Sequence, residues 1–284
     1  MTSPSDPVVS PAWLAERLDA PDIRVIDASW FMPSDPRNGK VLYDERRIPG
    51  AIFFDIDAVA DKSSDLPHML PSPEQFASQM RKLGVGDGMR LMIYDSAGIF
   101  SAPRVWWSFR AMGHEDVVVL DGGFPAWEAA GYPIETGPPQ RRGERPFSAR
   151  LRSDLVRDLG DMRRIAEAGG AAILDARPAA RFRGETPEPR PGLRSGHIPG
   201  SQSLPAPLLL DEQGRLRSRD ELEKVFTDAG IPLSRAPACT CGSGVAAAIV
   251  ALALARLGRW DAAVYDGSWT EWGAQADTPV TTGA

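Results

Sequence analysis

The chain has 284 residues, of which 43% are hydrophobic and 25% are charged, as is typical of a globular protein with one large or two ordinary domains. A formal net charge of −6 and a pI near 5.2 argue against a nucleic-acid-binding surface. Neither a signal peptide nor an apolar stretch long enough to cross a bilayer is visible, so we expect no membrane partner.

The first half of the chain alternates predicted helices and strands. Ser10 before Pro11 and the pair Ser72 and Gln75 are helix N-terminal signals, the second being a capping box. Further helices are predicted at residues 102–112 and from residue 125. Apolar runs bounded by turn residues predict strands at residues 23–28, 52–54, 91–95 and 117–120.

The second half repeats these signals in the same order, with an offset of about 145–150 residues. Residues 173–176 correspond to the strand that ends at Asp27, and residues 197–200 to the Ile-Pro-Gly turn at residues 48–50. Ser218 and Glu221 form a second capping box, equivalent to that at Ser72. One α/β unit therefore occurs twice.

Strands that alternate with helices predict, in each unit, a mostly parallel sheet covered by helices on both faces. The Pro-, Arg- and Gly-containing segment at residues 138–148 has the composition of a linker. We therefore predict an N-terminal domain at residues 1–137 and a C-terminal domain at residues 149–284.

The segment Cys241-Gly242-Ser243-Gly244-Val245 lies between a short predicted strand and a long apolar helix. Two glycines allow the backbone N–H groups of the loop to turn inward, towards the helix N-terminus, where an anion is favoured. A cysteine at this position is suited to react as a thiolate nucleophile. The first half has Asp95 at the equivalent position, so we expect the C-terminal domain alone to be catalytic.

Cys239 is two residues before Cys241, and we expect it to be a core residue. A disulfide across a single residue would require a strained ring. The absence of a disulfide framework predicts a cytoplasmic protein.

The chain resembles the two-domain rhodanese superfamily and, within it, the 3-mercaptopyruvate sulfurtransferases. The resemblance extends over nearly the whole chain and is carried by residues 241–245, 181–190 and 196–200. It implies a tandem repeat of two rhodanese-like domains and an enzyme in which Cys241 carries sulfur as a persulfide. It also implies a small-molecule sulfur donor and, as acceptor, cyanide or a thiol such as thioredoxin or a small thiol.

The resemblance assigns substrate binding to Arg181 and Arg190, and to the loop residues Gly242, Gly244 and Val245. A guanidinium group suits the carboxylate of a 2-oxo acid. Thiosulfate-preferring relatives have two basic residues after the cysteine, whereas this chain has neutral residues there. Mercaptopyruvate is therefore the expected donor, and thiosulfate is the alternative.

The resemblance also pairs Ser243 with a histidine and an aspartate of the other domain, which here match His68 and Asp57. Such a relay exchanges a proton with the substrate. No cofactor or metal is expected, and the protein is expected to be a monomer.

Two further classes remain as alternatives. A cysteine phosphatase needs a longer loop closed by an arginine, and the residues that follow Val245 are Ala246, Ala247 and Ala248. A non-catalytic binding module commonly lacks the cysteine or has a degraded loop, as only the first half does here.

Overall fold

The computed structural model describes residues 6–140, 142–169 and 172–283, which form two compact units. The first unit contains the chain up to Asp61, Leu70–Arg152 and Asp211–Leu216. The second contains Lys62–Met69, Ser153–Leu210 and the chain from Arg217 onward. Over the described residues, none of the helices combines the length and the apolar character needed to span a bilayer.

The first unit has a parallel sheet that, within residues 6–140, contains five strands in the order β1-β5-β4-β2-β3. These strands are β1 Val8–Val9, β2 Ile23–Asp27, β3 Ile52–Phe53, β4 Arg90–Tyr94 and β5 Val117–Leu120. Its helices are α1 Pro11–Ala15, α2 Gly39–Glu45, α3 Ile56–Val59, α4 Pro73–Lys82, α5 Ala102–Ala111 and α6 Gly123–Ala129.

The second unit repeats this topology, and its described residues form a parallel sheet in the order β6-β10-β9-β7-β8. These strands are β6 Val156–Arg157, β7 Ile173–Asp175, β8 Ser201–Ser203, β9 Ala238–Thr240 and β10 Ala263–Tyr265. Its helices are α7 Leu159–Ala168, α8 Ala179–Phe182, α9 Arg219–Asp228, α10 Ala247–Arg256 and α11 Ser268–Trp272, with 3-10 turns at Ser153–Leu155 and Ala206–Leu209. The predicted duplicated fold of two parallel α/β sheets is confirmed.

Local sequence signals explain where the main helices begin. The capping boxes at Ser72 and Ser218 are both formed, with the side chain of each serine accepting the backbone N–H three residues later. Helix α10 has no such cap, but residues 247–255 are all buried and apolar. Burial of this whole segment stabilises the helix that follows the cysteine loop.

Candidate active site

Cys241 directly follows β9, the central strand of the second sheet, and helix α10 begins six residues later at Ala247. Sites in open parallel sheets form at this carboxyl edge. The residue is 3% exposed, and Ser243 and Val245 in the same loop are also buried. Gly244 has a φ of +79°, a left-handed conformation that favours glycine and turns the loop towards the helix.

The first residues of α11 hold the cysteine loop in place. The N–H of Cys241 donates to the Ser268 hydroxyl at 3.3 Å, and the Cys241 carbonyl accepts the N–H of Trp269 at 2.9 Å. The Gly242 carbonyl accepts both the backbone N–H and the hydroxyl of Thr270, at 2.9 and 2.6 Å. The loop conformation is therefore fixed from outside as well as by its own glycines.

Ser268 has a φ of +50°, which is uncommon for a residue with a side chain. Its hydroxyl donates to the Tyr265 carbonyl at 2.8 Å and accepts the N–H of Cys241. The left-handed backbone conformation thus occurs at a residue whose side chain makes two hydrogen bonds. The loop contacts of Ser268 and Thr270 leave no signature in the sequence because the partners are backbone groups distant along the chain.

Cys239 is fully buried within β9, between Leu174 and Val264 of the neighbouring strands. Burial, and to a lesser extent the nearby Cys241, raises the pKa of the Cys239 thiol well above its ordinary value. Both cysteines are free. Cys239 is therefore a core residue whose surroundings disfavour the reactive thiolate.

Asp95 occupies in the first unit the position that Cys241 occupies in the second, directly after the central strand β4. Its buried carboxylate accepts four backbone N–H groups at 2.8–2.9 Å, those of Ala97, Phe100, Ser101 and Ala102. Burial raises the pKa of Asp95, and these hydrogen bonds oppose that rise. This loop of the repeated unit thus surrounds the Asp95 carboxyl group with N–H donors.

Arg181, on α8, lies beside the cysteine loop. A Cβ atom added to Gly242 would lie 3.3 Å from Nη2 of Arg181, so the guanidinium covers the residue that follows the cysteine. Glu188 fixes this guanidinium, since its carboxylate accepts Nη2 at 2.5 Å and Nε at 3.3 Å. The side chain of Arg181 remains 20% exposed.

A second arginine shares the Glu188 carboxylate. Arg177 donates to Glu188 at 2.8 Å and to both carboxylate oxygens of Asp175, and its guanidinium lies 4.3 Å from the ring centre of Trp269. Burial lowers the pKa of Arg177, but the two carboxylates outweigh this effect and raise it. The network is formally neutral, since it consists of two carboxylates, Asp175 and Glu188, and two guanidinium groups, those of Arg177 and Arg181. Arg177 and Glu188 were not among the site residues predicted from the sequence.

His197 supports the same helix. Its Nδ1 lies 2.8 Å from the Phe182 carbonyl, and its ring stacks on the Phe182 ring with centroids 3.8 Å apart. Arg183 is paired with Glu185 at 2.6 Å on the exposed side of the same segment. Arg190 is half-buried in the loop that follows, and its role as a substrate ligand stays a prediction.

The three residues of the predicted proton relay are divided between the two units. Ser243 is buried in the second unit, and His68, with a φ of +64°, lies in the segment Lys62–Met69 that belongs to the same unit. Asp57 lies on α3 of the first unit, where its carboxylate accepts the indole N–H of Trp30 at 2.9 Å. The relay as a whole stays a prediction.

The described part of the chain contains no group of three or more His, Cys, Asp or Glu side chains that could hold a metal ion.

Comparison with known proteins identifies both halves. The sequence pattern of the rhodanese-like domain matches residues 10–130 and 158–275. The 3-mercaptopyruvate sulfurtransferase of Escherichia coli K12 is 46% identical over 269 residues, which cover 94% of this chain and 95% of that protein. The Arabidopsis thaliana protein named thiosulfate/3-mercaptopyruvate sulfurtransferase 1, mitochondrial, is 42% identical, covering 98% of this chain and 79% of its own length.

Solved structures agree with the sequence relatives. The crystal structure of SseA from Escherichia coli, described as a 3-mercaptopyruvate sulfotransferase with the rhodanese fold, matches with a TM-score of 0.85 at 42% identity, covering 93% of this chain and 99% of that one. The Tum1 protein of Saccharomyces cerevisiae matches with a TM-score of 0.90 at 33% identity, covering 98% and 99% of the two chains.

Proposed function

The chain belongs to the rhodanese family, and on that premise we propose that it is a 3-mercaptopyruvate sulfurtransferase that carries sulfur on Cys241. The observation that carries the proposal is the position of Cys241 directly after the central strand, with the guanidinium of Arg181 held over the neighbouring Gly242. The relatives that bear this name match over most of both chains.

The chemistry follows from a thiolate that faces a mercapto-substituted 2-oxo acid. The Cys241 thiolate attacks the substrate sulfur and forms a sulfur–sulfur bond, while the bond between that sulfur and carbon 3 breaks. The electron pair moves onto carbon 3 as the enolate of pyruvate, which is then protonated. An acceptor thiolate or cyanide next attacks the outer sulfur, and the Cys241 thiolate is regenerated.

Arg181 supplies the charge that the substrate carboxylate needs. Glu188 engages Nε and Nη2, and we assign the remaining nitrogen, Nη1, together with Arg190, to the carboxylate and the 2-oxo group. Backbone N–H groups of Gly242, Gly244 and Val245 would stabilise the thiolate and persulfide. Such a role has a parallel in the loop of the first unit, where backbone N–H groups at other positions donate to Asp95.

Ser243 and His68 are assigned to proton transfer. Both are buried and both belong to the second unit, which supports a role together. We assign them the proton that the departing enolate requires, with Asp57 orienting the imidazole.

Thiosulfate is a second candidate donor, and the Arabidopsis relative named for both donors favours it as a side activity. The neutral residues at positions 242 and 243 favour mercaptopyruvate, because they offer no positive charge to bind a thiosulfate dianion. The acceptor is a thiol of the thioredoxin or small-thiol class, or cyanide, and the protein acts as a monomer. Two free cysteines support a reducing compartment such as the cytoplasm.

The test combines mass spectrometry with a pyruvate assay. After mixing with 3-mercaptopyruvate, the wild type should release pyruvate and gain one sulfur atom on Cys241. Cys241→Ser should do neither while keeping its fold, and Cys239→Ser should keep most of the activity. The assignment would be contradicted if Cys241→Ser still gained a sulfur atom, or if Cys239→Ser were the variant that failed to gain one.

A further inference from the structure

A cavity of about 460 Å³ opens in the first unit, at the end of the sheet where strand β2 begins. Three arginines line it, namely Arg24, Arg142 and Arg145, together with apolar residues that include Pro21 and Pro49. The strands are parallel, so this edge is opposite to the one at which the Asp95 loop follows β4.

Arg24 is the innermost of the three arginines. It is 7% exposed, and among the described residues its Nε has no hydrogen-bond partner although it is buried. Burial is the main cause that lowers the pKa of this guanidinium, and the positive charges of Arg142 and Arg145 lower it further. A buried guanidinium whose Nε has no partner is costly, and an anion in the cavity would offset that cost.

The two carboxylates that line the cavity, Glu135 and Asp19, do not balance the three arginines. Glu135 accepts from the guanidinium of Arg47 and from the N–H of Gly50, at 2.5 and 2.7 Å, and is thus already paired. Asp19 lies on the exposed rim. The cavity therefore has an excess of positive charge, which comes from arginine side chains.

Two glycines of the first unit allow the close approach of the two outer arginines, Arg142 and Arg145. A Cβ atom on Gly84 would lie 2.7 Å from Cβ of Arg142, and one on Gly86 would lie 3.1 Å from Cβ of Arg145. Arg142 also donates to the Gly50 carbonyl at 3.2 Å. The segment that carries these arginines thus packs closely on the cavity wall.

We propose that this cavity binds a phosphate- or sulfate-class oxyanion, either as the free ion or as the head group of a small organic molecule. Guanidinium groups match the geometry and charge of such oxyanions. The cavity volume and the proline walls leave space for an organic portion beside the head group.

Calorimetric titration of the full chain with inorganic phosphate, at an ionic strength fixed with sodium chloride, tests the proposal. The variants are Arg24→Gln and Arg145→Gln, and the control is Arg164→Gln, which removes one exposed positive charge paired with Asp161 in the second unit. Each cavity variant should weaken phosphate binding at least tenfold, by loss of a charge-assisted contact, and the control should not. Phenyl phosphate identifies the source: tighter binding than inorganic phosphate indicates an organic ligand, and equal binding indicates the free ion.

Thermal unfolding provides a second readout. Phosphate at ten times its Kd should raise the Tm of the wild type by roughly 3–6 °C, and this shift should vanish in both cavity variants. Without phosphate, Arg24→Gln should unfold no earlier than the wild type, because it removes a buried positive charge whose Nε has no hydrogen-bond partner among the described residues. Phosphate that acts no better than chloride, or equal losses in Arg164→Gln and the cavity variants, would overturn the proposal.

Discussion

Replacing Glu188 with glutamine removes the carboxylate that Arg177 and Arg181 share. The Glu188 side chain is 2% exposed and Arg177 1%, so the pair is deeply buried, whereas the Arg181 side chain is 20% exposed. The four-residue network with Asp175 then changes from formally neutral to one excess positive charge. Glutamine keeps one acceptor oxygen and turns an amide NH₂ group towards the other guanidinium.

The size of the effect follows from this burial. Removing one partner of a buried ion pair costs about 3–5 kcal/mol. Glutamine retains one acceptor oxygen, and Arg181 is partly exposed to solvent. We therefore expect the free energy of unfolding to fall by about 3 kcal/mol, the lower end of this range. Arg181 then loses the contact that fixes its guanidinium beside Gly242, and a charge-assisted contact of this kind is worth about 1.5–3 kcal/mol. We expect kcat/KM for 3-mercaptopyruvate to fall by roughly 10- to 100-fold, mainly through KM.

The assay pairs urea unfolding with steady-state pyruvate release. Glu185→Gln is the matched control, since it makes the same charge change three residues away on an exposed pair with Arg183. It should leave both stability and kinetics unchanged. If Glu188→Gln lowers stability but leaves KM unaltered, Glu188 does not position Arg181 for the substrate. Equal kinetic losses in both variants would refute the reasoning altogether.

Three other perturbations test separate parts of the structure. Arg190→Ala should lower kcat/KM for 3-mercaptopyruvate about ten- to hundredfold with little change in Tm, and unaltered kinetics would remove it from the site. Gly242→Arg with Ser243→Lys should shift the ratio of the two kcat/KM values towards thiosulfate at low salt, and the gain should shrink at higher salt as the added charges are screened. Burial is the main cause that raises the pKa of Asp27 to about 6, so its protonation stabilises the folded state as the pH falls from above 6 towards 4. Asp27→Asn should remove this dependence and, by urea unfolding at pH 8, stabilise the protein by about 1–3 kcal/mol, and an unchanged difference between pH 8 and pH 5 would contradict that origin.

The fold was predictable because its signals are local. The two capping boxes, at Ser72 and Ser218, and the apolar strand runs depend on neighbouring residues in the chain. Their repetition in the same order then predicted the duplicated sheet topology. The errors were small, such as β4, which was predicted at residues 91–95 and is Arg90–Tyr94. Asp95 falls outside the strand because its carboxylate accepts the N–H groups of the following loop.

The supporting contacts of the site were not predictable from spacing. Glu188 lies within the segment that carries the family resemblance, yet its partners depend on how the loop folds back onto Arg177 and Arg181. Thr270 reaches Gly242 across 28 positions and contacts only a carbonyl, which every residue possesses. The proposed nucleophile was predicted from a local motif, whereas the residues that contact its loop and the neighbouring arginine depend on tertiary packing.

The two halves together explain why one loop is suited to nucleophilic chemistry and the other is not. In the first unit the loop N–H groups surround a carboxylate that belongs to the chain, so four donors are consumed by Asp95. A thiolate at the equivalent position is a larger and softer anion that can form a bond to sulfur, which a carboxylate does not. The equivalent loop is therefore structural in the first unit and, in the proposed function, catalytic in the second. Asp95→Cys would place a thiol in the first loop, where a Cβ atom on Gly98 would lie 3.1 Å from the Gly214 carbonyl oxygen, whereas the second loop has the guanidinium of Arg181 beside Gly242.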